Sequence, residues 1–454
     1  MALWEALEAY GRSDAYPMHM PGHKRRGEGA FDWYAMDITE IDGFDNLHDA
    51  QGVLKDAMER AARVVGAERS WFLVNGSTCG LLAAVFAAVR PGEKVLAARN
   101  CHKAVYHALA LRGAVPVWLY PPTEPLGYAG ALPLSLVEEA LSRDAYAACI
   151  LTSPTYEGVT SDVAGIVRAC RRSGTICIVD EAHGAHLPLG DREDFPESAV
   201  SQGADLVIQS LHKTLPSPTQ TALLSLCGSR VPAERVETYL GMFETSSPSY
   251  PLMAGMDACM EWAEAKGREA MRRYARRLAE FYRKSEALKE LAALPPAGRD
   301  PGKLLIFDRK FRMTGREIYD ILKDEFSIQP EMAAERYALL MTSPCDTDEG
   351  FARLWAALTA LDKRLGAENV RLPEEDGSLR AFPQNEAVLP MLAALEAPGS
   401  VRKVSELTGA EISGEWVTPY PPGIPVLAPG ERVGAALPWL KAHREELRIA
   451  EIEL

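Results

Sequence analysis

A lysine stands in the stretch SLHKTLPSPTQ, residues 210–220, between two apolar runs, ADLVIQ and TALLSLC. Lysine is almost never fully buried without a partner, so Lys213, at the mouth of what reads as a buried strand, calls for a chemical reason. Burial or neighbouring positive charge lowers the pKa of such an amine, and an amine that spends time neutral can condense with a carbonyl to give a Schiff base. Upstream, ICIVDEAHGAH (residues 176–186) puts Asp180 at the C-terminal end of an apolar strand, where open α/β sheets bind ligands. A carboxylate there can form half of an ion pair with a heterocyclic nitrogen; the other reading is a helix cap. FLVNGSTCG (residues 72–80) runs from a strand into a helix through Gly76, Ser77 and Thr78. Free N–H groups at a helix start, two hydroxyls and the positive end of the helix dipole suit a phosphate. The GK[ST] element of a nucleotide P-loop is absent. His102, in RNCHKAV, follows another strand end, and its imidazole can lie over a planar ring. A phosphate cradle, a strand-end acid, a stacking imidazole and a Schiff-base lysine together describe a site for pyridoxal 5'-phosphate.

These residues need a sheet to bring them to one edge. Between residues 70 and 227 the runs WFLVN, KVLAAR, VPVWLY, AACILT, ICIVDE, DLVIQS and ALLSLC alternate with segments read as amphipathic helices, such as STCGLLAAVFAAVR and DVAGIVRACRRSG. Strands apolar throughout suit a sheet covered on both faces, and long connections suit parallel strands. The expectation is an α/β protein with a large, mainly parallel seven-stranded domain. Ahead of it, residues 1–55 read as an arm with a helix at LWEALEAY. A long charged helix over 252–293 closes the large domain, residues 56–293, and LPPAGRDPG marks a boundary. KLLIFD, GREIYDILKDEF and YALLMTS then predict a smaller α+β domain over 294–454, whose proline-rich VTPYPPGIPVLAPGERV excludes regular structure.

The chain has 454 residues with 49 basic and 63 acidic side chains, a formal charge of -14. That balance repels nucleic acid and anionic membranes. The start has no basic segment of a signal peptide, GLLAAVFAAV is too short to span a membrane, and a cytoplasmic protein is expected. Eight cysteines without CxxC spacing read mostly as small buried hydrophobes; no metal site is assigned.

The chain resembles the Orn/Lys/Arg decarboxylases, pyridoxal phosphate enzymes of the aspartate aminotransferase fold, in their shorter bacterial form. The resemblance rests on MPGHKRR, DITEIDGFDNLHDAQG, VNGST, RNCHKA, LTSPTYEGVTSD, VDEAHGAH, SLHKTLPSPTQTALL, TSSPSYPLMA and PYPPGIPVLAPGE. It implies that Lys213 carries the cofactor and that Asp180 pairs with the pyridine nitrogen. It implies further that Ser77, Thr78 and Ser210 hold the phosphate beside Gly76, that His102 stacks on one ring face, and that Ala182 packs on the other with His183 nearby. His212 would sit beside the Schiff base, as proton donor or as a contact. The resemblance also implies a homodimer or higher homo-oligomer, with TSSPSYP and the arm serving the neighbouring chain's site. Decarboxylation of lysine, arginine or ornithine to a diamine or agmatine is expected, since the bond held perpendicular to the ring is the one that breaks. An aminotransferase, lyase or aldolase on the same scaffold, or a non-catalytic relative, remain alternatives. A cationic side chain needs paired acid, for which Asp37, Glu40, Asp45 and Glu415 are the candidates.

Overall fold

A computed structural model of the chain describes residues 12–25, 36–367 and 382–451; the helix expected at residues 3–10 lies outside them. In the arm, β1 (Tyr16–Met18) precedes α1 (Val53–Val65). The seven apolar runs then become seven strands: β2 (Arg69–Leu73), β3 (Lys94–Ala98), β4 (Val115–Leu119), β5 (Ala148–Thr152), β6 (Ile176–Asp180), β7 (Leu206–Gln209) and β8 (Ala222–Leu226). Between and after them lie α2 (Gly76–Ala88), α3 (Lys103–Arg112), α4 (Leu134–Arg143), α5 (Val163–Ser173), the single turn α6 (Leu211–Thr214) and α7 (Ala233–Phe243). The strands form one sheet in the order β2-β8-β7-β6-β5-β3-β4. All pairings are parallel except those of β8, which runs antiparallel to both neighbours. The reversal follows from connection length, because the short β7–β8 link, which carries Lys213, cannot cross the sheet as a parallel pair requires.

Strands β5 to β8 are buried almost throughout, whereas edge strand β4 is only partly covered. Helix α2 differs from its amphipathic reading: it is packed against the sheet, α3 and α7, so its apolar residues are covered nearly all round. That is the burial expected of a helix with no polar stripe. No helix among the described residues is long and apolar enough to cross a membrane. Six cysteines are buried and Cys227 and Cys345 partly so.

The long helix runs as α8 (Tyr250–Trp262), a wide turn at 263–267 and α9 (Arg268–Ser285), and stops earlier than the sequence suggests. Residues 286–293 favour helix by composition, yet Leu291–Ala293 forms β9, paired antiparallel with β10 (Lys303–Asp308). The Asp362 carboxylate accepts the N–H groups of Lys289, Glu290 and Leu291 at 3.1, 2.8 and 2.8 Å, so tertiary partners override local propensity. The smaller sheet therefore begins before the expected boundary at 294. It has the order β12-β13-β10-β9, built with β12 (Met332–Ala333) and β13 (Ala338–Met341), and is backed by α10 (Gly315–Phe326) and α11 (Asp348–Ala367). β1 of the arm pairs in parallel with β11 (Ile328–Pro330).

The expected single domain over 294–454 separates further, because residues 382–451 have their own core around Val417, Leu427, Leu440 and Leu447. β14 (Gly399–Lys403) and β15 (Glu446–Ala450) lie at its edge. The proline-rich stretch contains no helix or strand, only isolated bridges: Val417 with Leu427, Glu431 with Ala387 and Arg432 with Ile412. This unit is anchored to the large sheet by Arg99, just after β3, which is 0% exposed. Its guanidinium donates to the carbonyls of Pro425 at 2.6 Å and Val426 at 3.2 Å and to the Glu431 carboxylate at 3.2 Å. Removing one partner of a buried pair strands the other. Arg99→Met is therefore expected to cost about 3–5 kcal/mol, read as a lower midpoint of thermal denaturation; an unchanged midpoint contradicts this role.

Candidate active site

Because β2, β3, β5, β6 and β7 are co-directional, their C-terminal ends share one edge, and the chemistry-bearing residues follow those ends. Asp180 closes β6 and is buried. Its Oδ1 accepts the Ala182 N–H at 3.1 Å, and burial raises its pKa while positive charge on Lys213 opposes the rise. Ala182, also buried, thus orients the carboxylate through its backbone. The next residue, Glu181, accepts from the Ser198 hydroxyl (2.7 Å), the Ala199 N–H (2.7 Å) and the Gln209 amide (2.6 Å). It joins the ends of β6 and β7 immediately before Ser210.

Lys213 lies in α6, whose N-cap is Ser210. Burial lowers the lysine pKa to about 8, with Lys303 reinforcing the shift and Asp180 and Glu331 resisting it. The amine lies 3.0 Å from His183 Nε2. Burial and nearby positive charge, Lys213 foremost, keep His183 neutral, so the lysine donates and the imidazole accepts. The imidazole in contact with the amine is thus that of His183, while His212, expected beside it, bonds through Nδ1 to the Thr221 carbonyl at 3.0 Å. Burial holds His212 at about 4 and His102 at about 3. His102 caps α3 by accepting the Ala104 N–H on Nδ1 at 3.2 Å. The proline-rich tail crosses over it, with the Gly423 carbonyl accepting the Lys103 N–H at 2.9 Å.

At the start of α2, Gly76 has φ +74, a conformation that L side chains rarely adopt. Asn75 makes no capping bond, and the first-turn N–H groups are left without a side-chain acceptor. Glu244 takes the preceding N–H groups of Val74 and Asn75 at 2.8 and 3.3 Å. Ser77 is half-buried and Thr78 exposed. The hydroxyls of Ser210 and Thr214 are buried without a partner, as is His183 Nδ1. Buried polar atoms in folded proteins are nearly always satisfied. The orphaned hydroxyls, an uncapped helix start, a buried strand-end carboxylate and an amine of lowered pKa fit the phosphate, ring nitrogen and aldehyde of pyridoxal phosphate.

The substrate candidates fare differently. Asp37 and Glu40 are exposed. Asp45 spends Oδ1 on the N–H groups of Asn46 and Gln51 and Oδ2 on those of Gly52 and Leu54, so it staples the loop ahead of α1. Glu415 accepts the Arg448 N–H at 2.7 Å and pairs with Arg444 at 3.4 Å. None of the four is brought to Lys213 by any hydrogen bond or ion pair among the described residues. The acid whose charge reaches Lys213 besides Asp180 is Glu331, between β11 and β12. It accepts the Tyr156 hydroxyl at 2.5 Å and the Met20 N–H at 2.7 Å, and the Tyr156 ring meets His183 edge-on with centroids 4.9 Å apart. No strand-end pattern marks Glu331 in the sequence, because the fold of the small sheet delivers it.

Of the arm, residues 16–25 sit on their own chain. Lys24 donates to the Met341 carbonyl at 2.6 Å, and Gly22 N–H donates to the His212 carbonyl at 2.7 Å. A Cβ at Gly22 would stand 2.7 Å from the Thr214 carbonyl carbon and 2.9 Å from the Leu215 nitrogen. The stretch TSSPSYP lies around the start of α8, where the Thr245 carbonyl accepts from His48 Nε2 at 3.0 Å.

The family model for the Orn/Lys/Arg decarboxylase major domain matches residues 1–300, and that for the C-terminal domain of the same family matches 398–448. A protein of Bacillus subtilis described as uncharacterized is 34% identical, with 95% of this chain and 91% of that protein covered. The arginine decarboxylase of Bacillus subtilis is 30% identical, with 94% of this chain and 90% of that protein covered. Among solved structures, the lysine decarboxylase of Francisella novicida matches with TM-score 0.79 at 19% identity, covering 98% of this chain and 80% of that one; at that identity the likeness is one of fold.

Two outcomes follow from the geometry. In cofactor-free protein, condensation of Lys213 with an added aldehyde should rise with pH and reach its half-maximum near the shifted pKa of about 8, above which the amine is neutral. Borohydride trapping and mass spectrometry of the peptide containing Lys213 measure this, and a midpoint near the ordinary lysine value of 10.5 contradicts it. Gly22→Ala should press the α6 backbone away and weaken pyridoxal phosphate binding by roughly 10- to 100-fold in a titration followed by absorbance; unchanged affinity contradicts the contact.

Proposed function

Because the chain belongs to the Orn/Lys/Arg decarboxylase family, and is therefore a pyridoxal phosphate-dependent amino acid decarboxylase of aspartate aminotransferase-like fold, we propose that it removes the α-carboxyl group of a basic amino acid. The products are CO2 and a cationic amine of the diamine or agmatine type. The observation that carries this reading is the Lys213 amine, lowered to about 8 and held 3.0 Å from a neutral imidazole, with buried Asp180 at the same sheet edge.

In this reading Gly76, Ser77, Thr78, Ser210 and Thr214 surround the cofactor phosphate, and Asp180 offers its charge to the ring nitrogen. Ala182 and His102 border the ring. Bound pyridoxal phosphate supplies the electron sink that accepts the charge left by the departing carboxyl group. The protein's own part is protonic and electrostatic. Lys213 alternates between attached and free amine, and its lowered pKa keeps a useful fraction neutral near pH 8. The Lys213 amine donates to the neutral His183 Nε2 across 3.0 Å, a contact that orients the amine. His102 and His212, held neutral by burial, add no positive charge that would compete with the ring for Asp180.

Glu331 is the acid we assign to the distal cation of the substrate. Its carboxylate oxygens each accept one bond, from Tyr156 and Met20, and retain lone pairs for an ammonium or guanidinium donor. The similarity to the Bacillus arginine decarboxylases favours a basic substrate. The same reading makes the enzyme a homodimer acting in the cytoplasm, and exposed Ile41, Phe44, Val53 and Met242 are apolar surface that a second copy would cover.

The test is a panel of lysine, arginine, ornithine and neutral amino acids incubated with the loaded enzyme. CO2 and the amine formed are measured against keto acid. Release of CO2 from a basic amino acid, lost in Lys213→Ala and lowered roughly 10- to 100-fold in kcat/KM by Glu331→Gln, is the expected result. Keto acid in place of CO2 points to an aminotransferase instead.

A further inference from the structure

A fully buried lysine lies within charge–charge reach of the half-buried Lys213. Lys303, the first residue of β10, is 1% exposed. Its stem lies against the backbone of Gly158, where a Cβ would come within 2.8 Å of Lys303 Cγ. Gly158 ends the loop that carries Tyr156, whose ring contacts His183, which in turn contacts Lys213. Positive charge on Lys303 depresses the pKa of both Lys213 and His183, so the three groups lie within charge–charge reach of one another.

Neither acid whose charge reaches Lys303 satisfies it: Glu331 bonds to Tyr156 and Met20 instead, and Asp300 stands off. Asp300 Oδ2 is 3.8 Å from the amine, beyond hydrogen-bond distance. The other oxygen, Oδ1, accepts the Gly302 N–H at 2.9 Å and lies 3.4 Å from His186 Nε2. An ammonium has three donors, and a buried one with an imperfect partner is costly. A site that keeps such a group has use for an anion beside it. The cofactor phosphate is accounted for at the other end, by the α2 start with Ser210 and Thr214. The distal cation of the substrate is accounted for by Glu331. What remains is the negative group every α-amino acid carries next to the amine that must meet the cofactor.

We propose that Lys303 receives the α-carboxylate of the incoming amino acid and fixes its direction. This rests on the reading that a basic amino acid occupies the site, and it adds the residue that grips the group to be expelled. Lys303 stands on the small sheet, whereas Asp180, His102 and Lys213 stand at the edge of the large one. Carboxylate and ring are thus gripped from two sheets, whose spacing is fixed by the Asp300 N–H on the Gly158 carbonyl at 2.8 Å and the Arg299 guanidinium on the Glu157 carbonyl at 2.6 Å.

The experiment uses holoenzyme, wild type against Lys303→Met, Lys303→Gln and Lys303→Arg. Rapid-mixing absorbance of the cofactor before turnover gives the apparent Kd for L-arginine and L-lysine, and for agmatine and cadaverine, which lack the carboxylate. In the Met and Gln variants the Kd of the amino acids should rise about 10- to 100-fold while that of the amines stays within about twofold, and Arg should recover part of the loss. The Gln variant, which keeps length and polarity, serves if the Met variant does not load cofactor. Equal loss for amino acids and amines, or no loss for amino acids, overturns the assignment. A wild-type enzyme whose absorbance answers to neither amino acid overturns the basic-substrate reading itself, a result distinct from any difference among the variants.

Discussion

Taking an ammonium group out of water is expensive, and the chain is arranged around doing so at Lys213. The amine resides in a single helical turn between two strands, with an acid at the neighbouring strand end and a neutral imidazole at 3.0 Å. Desolvation is the largest influence on its pKa and outweighs the attraction of Asp180 and Glu331. The antiparallel course of β8 belongs to the same arrangement, since a short return keeps this turn at the carboxyl edge of the sheet rather than spending it on a crossover.

Several segments remote in sequence converge to hold that turn. Glu181 links β6 to β7 just before Ser210, and Thr221 anchors His212 through its carbonyl. The arm reaches in from the other side, where Gly22 donates to His212, and the Ser343 hydroxyl, just past β13, donates to the Gly22 carbonyl at 2.5 Å. The small sheet is therefore bonded to the turn that carries Lys213 through the arm as an intermediary. Lys24 is buried to make the same connection, donating to the carbonyls of His19 and Met341.

Three histidines near the amine are held neutral by burial and by the positive charges around them. The acids behave in a complementary way: burial raises Asp180 and Glu181, the latter to about 7, and specific donors restrain the rise. Among these groups Lys213, at about 8, and Glu181, at about 7, are the ones whose charge changes near neutral pH.

The sequence by itself determined the large sheet and the residues at its edge. Seven apolar runs became seven strands, because continuous burial on both faces is written in residue type. Lys213, Asp180, His102 and Gly76 were legible because each follows such a run directly, and strand ends sharing one direction must lie together. What the sequence did not contain was anything set by packing between distant segments. The helix expected to reach 293 ended at Ser285 because Asp362 collects three N–H groups, and the C-terminal half divided into two cores. His183 rather than His212 met the amine because the turn of α6 directs His212 toward Thr221. The acids chosen by position, Asp45 and Glu415, were claimed by neighbouring donors, whereas Glu331 and Lys303, whose charges reach Lys213, come from a second sheet. A side chain's neighbours across a domain boundary depend on how two sheets and an arm pack, and no local pattern of residue types encodes that.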